Sequence, residues 1–155
     1  MNYSSTIKDI EKNYDKKVVV KLKDIEKRFK DSSAIKDNLI IYEVFIKNFM
    51  PVNLGLTVLY SGNINRELYM TRGHIHKKPT PEFYILLEGL GLLLMQKGNI
   101  SKTIKLKKGR ITLIPKGYAH RLINIGNKKL KALTIYDGAS MPDYNIKFKK
   151  RFFKR

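Results

Sequence analysis

Met70-Thr71-Arg72-Gly73-His74-Ile75-His76, then Glu82, then Pro115-Lys116-Gly117-Tyr118-Ala119-His120: these segments decide how the chain is read. They hold all three histidines of its 155 residues. Side chains alternate between the two faces of a strand, so His74 and His76, two apart, look into one cavity. Three neutral imidazoles and one carboxylate form a ligand set suited to a divalent transition metal. Scatter would rarely gather every histidine in such a pattern, and the pattern points to a β-barrel that binds a metal.

Outward from this stretch, residue 39 onward consists of short β-rich runs separated by turn residues. The runs are Leu39–Ile46, Leu54–Tyr60, Glu67–Thr71, Phe83–Leu87, Leu90–Gln96, Thr103–Leu106, Ile111–Ile114, Arg121–Ile125 and Leu130–Tyr136. Ser61-Gly62-Asn63, Glu88-Gly89, Lys97-Gly98-Asn99, Lys107-Lys108-Gly109 and Gly126-Asn127 punctuate them. Many short strands at regular intervals predict an antiparallel sandwich or barrel. The first third is mixed. Ser4-Ser5-Thr6 can cap a short helix through Ile7 and Ile10, Val18-Val19-Val20 reads as a strand, and Leu22, Ile25 and Phe29 recur at helical spacing. We divide the chain into an N-terminal extension (1–38), a barrel (39–145) and a basic tail (146–155), all within a single domain.

Composition narrows the possible functions. Hydrophobic residues make up 43% of the chain, ordinary for a globular protein. With no cysteine, disulfides, thiolate-held zinc, iron–sulfur ligation and thiol nucleophiles are excluded. No apolar run approaches the ~20 residues that span a bilayer. The stretch from Met1 to Asp15 is polar and lacks a signal-peptide core, so a soluble cytoplasmic protein is expected. The net charge of +19 raises nucleic-acid binding, but the basic residues are spread along the chain; the densest run is Lys147–Arg155. A positive field equally attracts a phosphorylated substrate.

Gly109, then Pro115-x-Gly117, His120 and Asn124 match the second sequence motif of the cupin family without a gap. His-x-His with a Glu, and Gly89 with six residues between it and Glu82, match the first. One departure is the five residues between His76 and Glu82, which include Pro79 and Pro81 and predict a loop or bulge. The chain more narrowly resembles the cupin-type glucose-6-phosphate isomerases of archaea. The likeness runs through Leu39–Val44, Thr57–Gly62, Met70–His76, Glu82–Tyr84, Ala119–Gly126, Ile135-Tyr136 and Asp143-Tyr144, and covers roughly residues 17 to 145.

The resemblance implies an all-β jelly-roll barrel with a short helical and extended N-terminal segment, working as a homodimer. It implies an aldose–ketose isomerase of glycolysis and gluconeogenesis, interconverting glucose 6-phosphate and fructose 6-phosphate. His74, His76, Glu82 and His120 would hold one divalent metal per subunit, with iron first among iron, manganese, nickel and zinc. Thr57, Thr71, Gly73 and Tyr84 fall where the family contacts the phosphate; Tyr42, Tyr136 and Tyr144 fall near the sugar end. The family carries one more residue between the histidine pair and Glu82, and a histidine where this chain has Pro142. Bland readings stand beside these roles: threonines suit any sheet, apolar-flanked tyrosines suit a core, and Glu88 shares strand parity with Glu82. Glu82, the sole carboxylate of the constellation, is the candidate catalytic base. The residues themselves leave open an enediol route or a hydride shift. They also leave open other metal-dependent cupin chemistry, such as a dioxygenase or sugar epimerase, or a sugar-binding cupin without catalysis.

Overall fold

A computed structural model describes residues 3–33 and 37–154, with side chains from residue 8 onward. The β-branched run Val18–Val20 lies in β1 (Lys16–Lys21), after α1 (Tyr3–Lys12). The capping role of Ser4-Ser5-Thr6 concerns side chains outside those described. Leu22 and Ile25 are buried on one side of a 3-10 helix (Leu22–Arg28) rather than an α-helix. Three residues per turn aligns positions three apart, which suits this pair. Asp24 Oδ2 accepts the Lys21 N–H at 2.8 Å, tying down the first turn.

The strands that follow are β2 (Ile40–Phe49), β3 (Val52–Leu59), β4 (Asn63–Ile64), β5 (Glu67–Leu68), β6 (Ile75–His76) and β7 (Glu82–Glu88). Then come β8 (Gly91–Lys97), β9 (Ile100–Lys105), β10 (Ile111–Ile114), β11 (Ala119–Asn124), β12 (Leu130–Asp137) and β13 (Pro142–Asp143). Six form one antiparallel sheet in the order β1-β2-β3-β12-β7-β10; β11-β8-β9 form a second, and β13-β6 and β4-β5 are short ribbons. This double-sheet jelly roll is the expected all-β class.

One sequence run is shorter than expected. Glu67–Thr71 contributes only β5, because Asn65 and Arg66, both at positive φ (46° and 70°), close a two-residue hairpin with β4. Beyond it the chain makes a single bridge, Met70 to Ile123, and Thr71 N–H donates to the Leu122 carbonyl at 2.9 Å.

The core lies between the sheets. Leu59, Tyr84, Leu86, Leu130 and Ala132 of the large sheet meet Leu93, Met95 and Leu122 of the small one. The outer face of the large sheet carries a second apolar cluster, where Ile10 of α1 packs on Phe45, Leu56, Val58 and Leu87. A ten-residue helix is marginal alone, so this contact and the Glu11–Lys131 ion pair at 2.9 Å hold α1 in place.

Residues after β13 run across the barrel as a strap. Phe148 is buried, Gln96 Nε2 donates to the Lys147 carbonyl at 3.0 Å, and Leu68 N–H donates to the Phe152 carbonyl at 2.9 Å. Arg151 pairs at 2.8 Å with the buried Glu67.

Candidate metal centre

Three separate backbone pairings bring the four candidate ligands together. His74 and His120 pair backbone to backbone, with N–H to carbonyl distances of 3.1 and 2.9 Å. His76, on β6, faces Pro142 of β13, the position where the resembled family has a histidine. Glu82 opens β7 opposite Tyr136 of β12. Lys77 to Pro81 form a loop, as the two prolines led us to expect. Glu88, the rival carboxylate, is exposed at the far end of β7.

Glu82 Oε2 lies 2.9 Å from His120 Nε2, 3.1 Å from His76 Nε2 and 3.8 Å from His74 Nε2. All four ligand atoms fall within 4.8 Å of one another, and the cluster could hold a metal ion. Despite their 2.9 Å separation, Glu82 Oε2 and His120 Nε2 are buried atoms with no properly aligned hydrogen-bond partner. We therefore read the contact as two lone-pair atoms facing a common point rather than as a hydrogen bond. Ligands about 2.1 Å from an ion and at right angles stand about 3 Å apart, which matches these separations. The donor set fits a divalent metal.

Electrostatics agree. Burial, reinforced by the neighbouring His120 and His76 rings, pushes His74 down to about 3 against the pull of Glu82, so its ring is neutral and its lone pair free. Burial alone would raise Glu82, but His120, His76 and His74 outweigh it and hold the carboxyl below the ordinary range. Burial raises Tyr84 well above its ordinary value, raises Tyr136, and pushes Tyr42 up to about 12. These hydroxyls remain protonated donors at neutral pH.

The structure sets three expected sugar or phosphate contacts against the cluster. The Tyr84 ring lies 5.8 Å from His120, Tyr136 6.4 Å from His76, and Tyr144 5.9 Å from His74. The others lie a layer away. Tyr42 Oη accepts the Arg72 N–H at 3.4 Å, Thr71 Oγ1 accepts the Leu122 N–H at 3.0 Å, and Thr57 is buried facing inward on β3. Gly73 has φ +73°, and a Cβ there would sit 2.5 Å from Phe148 Cε2 and 2.9 Å from Arg121 Cβ. Its lack of a side chain thus admits the strap.

Two residues in this neighbourhood escaped the sequence reading. Thr80 Oγ1 lies 3.1 Å from His76 Nδ1 and 3.3 Å from Ser140 Oγ, so it can fix the ring with Nε2 turned inward. A hydroxyl in the loop just after His-x-His was its only sequence signal. Arg121 is buried beneath Phe148, 4.4 Å from the ring centroid, and donates to the Arg72 carbonyl at 2.8 Å.

The sequence model of the Glucose-6-phosphate isomerase (GPI) family matches residues 2–152. A glucose-6-phosphate isomerase of Thermococcus kodakarensis is 33% identical over 149 residues, covering 90% of this chain and 79% of that one. One of Pyrococcus furiosus is 34% identical over 150 residues with the same coverage. A solved structure of a mutant Bacillus subtilis oxalate decarboxylase superposes with a TM-score of 0.56 at 21% identity, covering 66% of this chain and 27% of that one. At that identity the likeness speaks to the cupin fold alone.

Proposed function

The chain belongs to the glucose-6-phosphate isomerase family, and from that membership we propose that it interconverts glucose 6-phosphate and fructose 6-phosphate with a divalent metal held by His74, His76, Glu82 and His120. The observation that carries the proposal is the convergence of all three histidines on the unpartnered Glu82 Oε2. We take iron first, with manganese, nickel or zinc as the other candidates, one ion per subunit. Sugar phosphates are charged and do not cross membranes unaided, so we assign the protein to the cytoplasm and to glycolysis and gluconeogenesis.

Isomerisation moves hydrogen between C1 and C2 of the open-chain sugar. When bound, the ion supplies polarisation of the carbonyl and stabilises negative charge developing on its oxygen, worth several kcal/mol. Glu82, held ionised, can accept a proton from C2 and return it to C1 through the carboxylate oxygen that does not face the ion. Tyr84 and Tyr136 remain protonated and can donate hydrogen bonds to sugar oxygens. Tyr144, exposed beside His74, borders the mouth of the site. We assign the phosphate to Thr57, Thr71, Tyr84 and the Gly73 backbone, with Tyr42 beside them. Binding energy from that remote group helps hold C1 and C2 in place.

We also propose a homodimer. Phe83, Ile111 and Leu113 stand exposed on the outer face of the large sheet, next to the partly buried Ile85 and Leu133. Apolar surface gathered on one face calls for a partner, and a second copy offers the same face.

The test is a coupled assay of glucose 6-phosphate formation from fructose 6-phosphate, with and without chelator, alongside metal analysis. We expect activity that chelation removes, unphosphorylated fructose as a far poorer substrate, and loss of metal in His74→Ala and His120→Ala. Stoichiometric metal in both variants would refute the ligand assignment.

A further inference from the structure

A cavity of about 790 Å³ opens beside the cluster rather than at it, between the 3-10 helix, Arg72 and the start of the strap. Tyr144 is common to both: its ring lies 5.9 Å from that of His74, and the Arg72 guanidinium stands over it at 5.0 Å. Lys23, Lys27, Arg28, Arg72 and Lys147 line the cavity, against two carboxylates, Asp24 and Glu26.

Those cations are not neutralised. Among the described residues, none of the five is in an ion pair with a carboxylate. The Asp24 side chain is turned to the Lys21 N–H. Arg28 donates to the backbone carbonyls of Tyr144 and Ile146, and Arg72 reaches the Asp24 carbonyl at 3.5 Å. Neutral carbonyls satisfy hydrogen bonds but leave the charge uncompensated. Arg28 is accordingly pulled below its ordinary value by burial and by the like charge of Arg72. Two half-buried guanidinium forks in a roomy cavity are an arrangement that a tetrahedral, multiply charged anion satisfies and a lone carboxylate does not.

We propose that this cavity is a binding site for a phosphate group, gripped by Arg72 and Arg28, lying outside the metal cluster and sharing Tyr144 with it. Free phosphate and the phosphate of a sugar phosphate present the same chemistry to the arginines. Only the second source rests on the isomerase reading. None of Thr57, Thr71, Gly73 and Tyr84, assigned above to the substrate phosphate, lines the cavity; Arg72 stands between two of them in the chain.

Calorimetric titration of the metal-loaded protein with inorganic phosphate tests the site directly. We expect binding in the wild type that weakens at least tenfold in Arg72→Gln and survives largely in Arg28→Lys, which retains the charge. Arg28 also ties down the strap, so thermal melting accompanies each variant and Arg72→Gln carries the decision. Steady-state kinetics with fructose 6-phosphate then separate the two sources. An unchanged KM with lost phosphate binding makes the cavity a separate anion site, whereas a raised KM with unchanged kcat in Arg72→Gln places the substrate's phosphate in the cavity and replaces the assignment to Thr57, Thr71, Gly73 and Tyr84. Absence of isomerase activity would defeat the proposed function and leave the titration standing. No phosphate binding in the wild type, equal binding in Arg72→Gln, or binding lost only in His74→Ala would each overturn the proposal.

Discussion

The two faces of the six-stranded sheet differ in what they hide: the inner face holds the apolar core and, at one end, the polar cluster, while the outer face carries an apolar patch on the side away from that core. The inner face, toward the barrel interior, bears Glu82, Tyr84 and Tyr136 at the candidate metal cluster, with Thr57 and Thr134 buried farther along it. The outer face bears Phe45, Leu56, Val58, Phe83, Ile85, Leu113 and Leu133. A buried polar group costs free energy unless it has a partner, so the inner face carries its polar residues where ligands and hydroxyls share one point. Exposed apolar area also costs free energy, and the outer face needs a cover; α1 supplies part of it. The contrast teaches that polarity marks chemistry on one side and contact on the other.

The largest effect should come from breaking the inner face. Glu82→Gln keeps the shape, cannot accept a proton and coordinates weakly; we expect kcat to fall about 10²-fold or more, with part of the metal lost. Metal content of the same variant divides the roles, since retained metal with lost rate marks a base. A normal rate would remove Glu82 from the chemistry. On the outer face, Leu113→Lys would bury an ammonium at the proposed dimer contact, and we expect dimer affinity to drop on the order of 10²-fold, read by analytical ultracentrifugation. An unchanged sedimentation profile would move the interface elsewhere. Ile10→Ala strips the cover α1 provides and should cost about 2 kcal/mol in chemical denaturation while leaving metal content intact. Least of all, Thr80→Val removes the partner of His76 Nδ1; we expect metal affinity to weaken about tenfold with the fold unchanged. Equal affinity would reduce Thr80 to a loop residue.

Much of the architecture could be read locally. Ile111–Ile114 forms β10 residue for residue, and the runs behind β3, β7, β8 and β12 lie within about two residues of the observed strands. Alternation and turn glycines are short-range signals, and they fix such elements. Fixed spacing likewise pointed to the four residues that the structure gathers at one point. Long-range events were not legible. Nothing near Phe148 indicates that Gly73 and Arg121 will receive it, and Pro142-Asp143 lacks strand character without β6 to pair with. Thr80 acts through the shape of a proline loop, which periodicity does not set. Arg28 and Arg72 become neighbours only once the 3-10 helix and the strap are in place.

The strap also sets a timetable. A ribosome delivers His74 and His120 well before residues 142 to 153, yet β6 has no partner until β13 emerges, and the niche at Gly73 stays open until Phe148 arrives. At elongation speeds of roughly 5–20 residues per second, residues 142 to 153 follow His120 by on the order of a second, and until they arrive the mouth has no seal. During that interval Glu67 sits without Arg151 and the apolar interior is open to water and to neighbouring chains. The surroundings of the centre are therefore complete only once a segment that supplies none of the four candidate ligands lies across the barrel.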